Sequence, residues 1–214
     1  MSKTFASMGG RVSLHVPGIP SPLIVHSLRE AAIDLCRRSK CWREDLSATV
    51  LTAGFPYTAV PTTGAVTVPR VSKVLRVIAD GLKPPLDEID EREASLRFDD
   101  WKATTGTLDA FTENPVGVIR LVPLPATTVD LEITVALEPD ETATGIDDFV
   151  YNEHRETIIS GAVYRLAMIP GKPWTNFDVA LIHKKIFEDG VDDAAVPFNL
   201  NFVMPSRHVA ISPL

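Results

Sequence analysis

Apolar residues return along this chain in two rhythms, and the places where the rhythm changes divide it into segments. Ile24, Leu28, Ala31, Leu35 and Trp42 stand at spacings of four, three, four and seven, which lays one stripe along a helix. Ser21 supplies an N-cap and Pro22 a first helical residue, while Arg29, Glu30, Asp34, Arg37 and Lys40 fall largely outside the stripe. The spacing predicts a helix over 21–42. Before it, early Gly and Ser and the turn-like Val16-Pro17-Gly18-Ile19-Pro20 predict an extended arm.

After Leu46 the period falls toward two. Ala48–Thr52, Val66–Val68 and Val74–Ile78 are short and β-branched, punctuated by Pro56, Pro61, Gly64 and Pro69, and predict strands. Asp87–Arg92 reads as a short acidic helix after the Pro84-Pro85 break. Further strands are expected at Phe111 and at Val118–Leu121. From Thr128 to Leu137 the alternation is clearest, with Val129, Leu131, Ile133, Val135 and Leu137 on one face and Asp130, Glu132 and Thr134 on the other.

Beyond Pro139 the helical period returns. Asp147 or Asp148 caps a helix to Ile169 whose stripe is Arg155, Ile159, Ala162, Leu166 and Ile169, and Pro170-Gly171-Lys172-Pro173 stops it. Thr175 caps a last helix with Val179, Ile182 and Ile186 inward and Gly190 at its end. Residues 191–214 read as an extended tail. Strands grouped together between helices predict an α+β fold: a small helical bundle from the N- and C-terminal helices, an inserted antiparallel β domain and extended termini. The arm covers 1–20, the helical body 21–45 and 146–190, the β-rich insertion 46–145 and the tail 191–214.

Composition changes this picture little. With 45% hydrophobic and 23% charged residues over 214 positions, the chain has the balance of a folded domain and not of a disordered one. Its net charge of −7 argues against gripping nucleic acid through phosphates, although it suits a channel along which DNA slides without sticking. No stretch approaches a membrane span, and the first residues lack the apolar core of an export signal, so neither membrane nor export is expected. Cys36 and Cys41, if both on one helix, lie about 140° apart around its axis and are too far apart to bridge. Two reduced thiols are expected.

Chemistry finds little footing. The five histidines show no HExxH context, and His183, beside an apolar stripe, reads as a satisfied half-buried residue. Two cysteines cannot make a Cys-rich zinc site. There is no G-x-S-x-G elbow, no S-x-x-K and no phosphate-binding glycine loop. Asp99-Asp100, Asp147-Asp148, Asp192-Asp193 and the Asp87–Glu93 cluster have the carboxylates to hold Mg²⁺ or move protons, yet acids at helix starts are more often caps. No catalytic, cofactor or metal residue is assigned. Trp101 is the one tryptophan placed as a stacking platform.

Two stretches carry a resemblance. The first holds Trp101, Gly106, Phe111, Ile119-Arg120-Leu121-Val122-Pro123-Leu124-Pro125 and the alternating strand to Leu137. The second holds Gly161-Ala162-Val163-Tyr164-Arg165-Leu166, then Pro170-Gly171-Lys172-Pro173-Trp174, Ala180 and Phe187. In this order, and with Leu28-Arg29-Glu30-Ala31-Ala32 and Cys36-Arg37-Arg38-Ser39 in the opening helix, the chain resembles bacteriophage head-to-tail adaptor proteins of the tail tubular protein A-like, head-completion group, over most of 20–190. The resemblance implies a structural virion protein without catalysis or cofactor. It implies a dodecameric ring of this chain at the head–tail junction, with the portal protein above, a tail or nozzle protein below and DNA passing through the lumen, assembled after synthesis in the host cytoplasm. Val196, Phe198, Leu200, Phe202 and Val203 are too apolar for an idle solvated tail, and together with Trp101 they are the candidate partner contacts. A tail or baseplate module with a ligand-binding β domain is the alternative, with Trp101 and Phe111 exposed side by side. A hydrolase built on the acidic pairs is a third reading.

Overall fold

The computed structural model describes residues 2–50, 56–62, 66–80 and 84–202, with side chains as far as 196. Strand β1 (Ser2–Thr4), one turn of 3-10 helix (Phe5–Met8) and helix α1 (Gly9–His15) lead into the long helix α2 (Ser21–Ser39). The strand-rich middle runs β2 (Arg43–Val50), β3 (Tyr57–Thr58), β4 (Pro69–Ala79), β5 (Asp87–Glu88), helix α3 (Glu91–Arg97), β6 (Ala110–Glu113), β7 (Val118–Val122), β8 (Val129–Pro139) and β9 (Gly145–Asp147). Helices α4 (Asp148–Ala167) and α5 (Phe177–Phe202) follow, and the fold is α+β as expected.

The best-marked strand of the sequence, β8, is the centre of an antiparallel sheet ordered β2-β8-β4. Its first half alternates as expected, with Val129, Leu131 and Ile133 buried and Asp130 and Glu132 exposed. From Ile133 onward every residue is buried, because α2 packs on the sheet there. A second sheet is ordered β3-β7-β6-β5, antiparallel apart from the short parallel pair β5–β6. The register of β4 slips between Val71 and Lys73 and again between Val74 and Arg76. At the second slip the Val74 N–H donates to Glu113 Oε1 at 3.0 Å, so a side chain on β6 satisfies the group that the bulge frees from the ladder.

Several local expectations change. Val66 and Thr67 form a turn instead of a strand, although the Val66 carbonyl accepts from Thr144 and Gly145 N–H. The acidic helix starts later than its composition suggested: Asp87 and Glu88 pair as a strand, and Asp90 Oδ1 caps α3 by accepting from Glu93 N–H at 2.6 Å. Leu51 and Thr52, expected to extend their strand, lie outside the described residues. Ser21 is the first helical residue of α2, with Pro20 in the cap position.

The N-terminal arm is not extended beyond Thr4. Phe5, Met8, Val12 and Val16 recur at three, four and four, a helical stripe, and all four are buried in the main core. Gly9 and Gly10 masked that period by reading as loop. At the other end, α5 does not stop at Gly190, and the segment expected as tail stays helical to Phe202, past Pro197 and the backbone bond it forgoes. Gly190 is needed for closeness and not for a cap: a Cβ there would lie 2.4 Å from Thr157 Oγ1 on α4. The inward line of α5 is Ala180, Phe187, Val191 and Ala194, with Ile182 and Ile186 turned outward against expectation. Small alanines let the helices approach, so the largest side chains were misleading guides to the buried face.

Helices α2, α4 and α5 pack together at Gly161, where an added Cβ would come within 2.7 Å of the Phe187 ring and 2.9 Å of Ala31 Cβ. Helices and the three-stranded sheet share one apolar core, while Ile89, Ala94, Trp101, Ala110 and Val122 form a second, smaller one.

One buried charge ties helix to sheet. Glu138 on β8 is 4% exposed and accepts from Arg37 of α2 at 2.9 and 3.0 Å and from Arg70 of β4 at 2.7 Å. Burial alone would push its carboxyl up, but the two guanidinium partners outweigh that and hold it below the ordinary glutamate value. Glu138→Gln should therefore cost about 2 kcal/mol near neutral pH, less than a fully buried pair because both arginines are half-exposed. Since the folded carboxyl is depressed, this contribution is present above the ordinary carboxylate range and is lost as pH falls through the folded value. Urea titrations should show the gap between wild type and variant closing in acid.

Candidate functional site

Surface chemistry concentrates on α5. Its first three turns are anchored inward by Ala180 and Phe187, yet Phe177, Leu181, Ile182 and Ile186 point outward, Leu181 and Ile182 each at 61% exposure. Lys184 and Lys185 interrupt this apolar face, and Asp189, Asp192 and Asp193 continue it as an acidic stretch before Val196, itself half-exposed. Phe149, at the start of α4, is a further exposed aromatic. Together these side chains form an apolar strip on the outer side of a helix that is packed on its inner side. Sequence periodicity assigned two of these residues to the core.

The expected contacts fare unevenly. Val196 is on the outer face of α5; the side chains of Phe198, Leu200 and Phe202 and the whole of Val203 lie outside the described part. Trp101 is 6% exposed, packed with Ile89, Ala94 and Phe98, and its ring has Lys102 Nζ at 5.1 Å and Arg120 Cζ at 5.7 Å. It is a core residue with cationic neighbours, and Phe111 is buried too. The exposed aromatic pair that a stacking platform needs is absent there.

The acidic pairs resolve into local structure. Asp147 Oδ1 caps α4 by accepting from Phe149 N–H at 2.8 Å, and Asp100 sits in a left-handed turn whose carbonyl accepts from Ala103 and Thr104. Among the described residues no group of three His, Cys, Asp or Glu side chains is placed to hold a metal ion. His183 is half-buried as expected but not satisfied: its ring meets His15 edge-on at 4.6 Å, and Nδ1 has no hydrogen-bond partner. Desolvation first, and then His15, push its pKa down.

One cluster escaped the sequence reading. Helix α2 ends at Ser39, and Lys40 takes a left-handed conformation (φ 54°), so Cys41 is not on the helix and folds back onto Cys36. The premise that kept the thiols apart fails, and the two side chains come close enough to act on one another's protons. His154 of α4 acts on Cys41 as well, and Cys41, Arg43, Phe149, Glu153, His154 and Asp193 line a cavity of about 400 Å³. Neither spacing nor motif joins Cys41 to His154.

The family model described as SU10 adaptor protein matches residues 3–199. The chain belongs to the SU10 adaptor protein family. No curated protein matches it. Membership makes this SU10-type adaptor a structural bacteriophage protein of the head–tail region, from a family that is typically non-enzymatic and works through other phage proteins. The match takes in the two helical stretches and the strand block that first carried the resemblance. It also covers the outer face of α5. No helix among the described residues is long and apolar enough to cross a membrane.

Proposed function

We propose that this adaptor closes into a ring, of about a dodecamer's size, that joins the portal of the phage head to the tail or nozzle, with DNA passing through its lumen unbound. The outer face of α5 carries the reading: four large apolar side chains stand in water on a helix whose other side is fully packed. Burying them against the next subunit removes that cost, and a surface that meets a different surface on an identical neighbour generates a ring when the rotation closes. The helical body, α2 with α4 and α5, then forms the wall. The β-rich insertion and the apolar residues Val196, Phe198, Leu200, Phe202 and Val203 are left to engage the portal and the tail. A net charge of −7 suits a lumen that repels phosphate.

Native mass spectrometry of the full chain, alone and mixed with the portal protein of its own phage, tests this. The expected result is a closed oligomer on the portal. A chain that stays monomeric at every concentration and leaves the portal unbound would falsify the ring.

A further inference from the structure

We propose that Cys41 and Cys36 form a thiol–disulfide exchange site, in which Cys41 attacks low-molecular-weight disulfides entering the cavity beside His154 and Cys36 resolves the adduct. This goes beyond the assembly role and does not depend on it.

Three observations converge. Cys41 and His154 line one cavity, and Cys41 interacts with the Cys36 thiol and with His154, so a nucleophile, a base and a second thiol are grouped together. Cys41 borders an opening large enough for a small molecule, whereas Cys36 lies behind it, fully buried. The left-handed Lys40 between them sets the return path that brings the two sulfurs together. A structural cysteine pair would be sealed from solvent, and a solitary surface cysteine would have neither base nor resolving partner.

Electrostatics agree. The bond from Cys36, then that from His154, pull the Cys41 thiol down to about 5, against burial, while Cys36 is pushed well up by its bond to Cys41 and by desolvation. His154 is raised, chiefly by its bond to Cys41. These shifts favour a thiolate–imidazolium pair next to a protonated thiol. Arg43 of β2, Glu153 of α4 and Asp193 of α5 face the cavity, and Lys40 and Glu138 act on Cys36 from α2 and β8. Both signs of charge line the opening, which fits the zwitterionic end of an amino-acid-type disulfide.

The chemistry balances. The Cys41 thiolate attacks one sulfur of R–S–S–R, forming a protein mixed disulfide and breaking the reagent's S–S bond. The expelled thiolate takes the His154 proton. Cys36 then attacks Cys41 Sγ, gives its proton to the second departing thiolate and closes the Cys36–Cys41 disulfide. Two electrons leave the protein dithiol, and R–S–S–R becomes two R–SH.

The test treats the reduced full-length protein with dithiobis(nitrobenzoate) and follows thiolate release and intact mass. Wild type should release two thionitrobenzoates per chain and keep no adduct. Cys36→Ala, a swap that a buried thiol site tolerates, should release one and retain the other as a stable adduct. Separately, iodoacetamide alkylation of Cys41 in unreacted wild type, located by peptide mass, should stay flat from about pH 8 to about pH 6. At the lower pH it should run roughly tenfold faster than an ordinary thiol, because thiolate fraction gains more than reduced basicity costs. His154→Gln, which removes one of the bonds that lower the thiol, should make this pH dependence steeper. Retention of adduct by wild type, or a wild-type alkylation rate that falls with acid like free cysteine, overturns the proposal. The wild-type profile needs no variant to fold.

Discussion

Phe187→Ala should cost about 3–5 kcal/mol of stability, the largest loss expected from any single truncation in this protein. The ring is 1% exposed and fills the notch made by Gly161, where α2, α4 and α5 come together. Arg165 and Arg38 stand over it, with Cζ at 5.3 and 6.0 Å from its centroid, and both are held there by partners on other helices: Arg165 by Asp34 at 2.8 Å and Arg38 by Glu188. Removing the ring thus opens a cavity and also leaves two cations without the surface they rest on. Because the glycine opposite has no side chain, nothing nearby can swing in to refill the space. Guanidinium unfolding of the variant should show a lower midpoint with little change in slope. A midpoint within about 1 kcal/mol of wild type would mean that the notch collapses freely, contrary to the packing described.

Leu181→Asp with Ile186→Asp should abolish self-association while leaving the monomer folded. Both positions are already solvated in the isolated chain, at 61% and 45% exposure, so their replacement is close to neutral for folding, within about 0.5 kcal/mol. In an assembled ring each carboxylate would instead be buried against a neighbour without a partner, at a cost of several kcal/mol per interface. Size-exclusion with light scattering reads the outcome directly, with thermal melting as the control for fold. Assembly at wild-type concentration with both aspartates in place would move the subunit contact elsewhere on the surface.

How much of this was legible beforehand follows from the length of each periodic signal. β8 and α4 declare themselves, because many residues in a row obey one period and no competing pattern overlaps them. The N-terminal helix was hidden by Gly9-Gly10, whose local preference for loop is overruled once Phe5, Met8, Val12 and Val16 find a shared core. On α5 two apolar stripes compete, and size favoured the wrong one. Ala180 and Ala194 are weak markers of burial, yet they face the neighbouring helix because small residues permit close approach, while Ile182 and Ile186 face out. The adaptor assignment was readable from ordered motifs along the chain, since order survives in sequence. The Cys41–His154 meeting was not, since it depends on a single left-handed residue at the end of α2 and on how α4 crosses it.

The pairing of β1 with β9 has a consequence for how the chain comes off the ribosome. Among the described residues, Ser2, Lys3 and Thr4 find their ladder partners in Asp147, Ile146 and Gly145, and Gly145 lets the Lys3 carbonyl approach to where a Cβ would stand at 2.2 Å. Strand β1 must therefore wait, unpaired, until Gly145–Asp147 has been synthesised. During that interval α2 has no α4 to pack on, and Phe5 and Met8 have no finished core to enter. Folding is sealed by a pairing between segments far apart in the chain, so substitution at Gly145 should slow maturation of nascent chains more than it disturbs any single element.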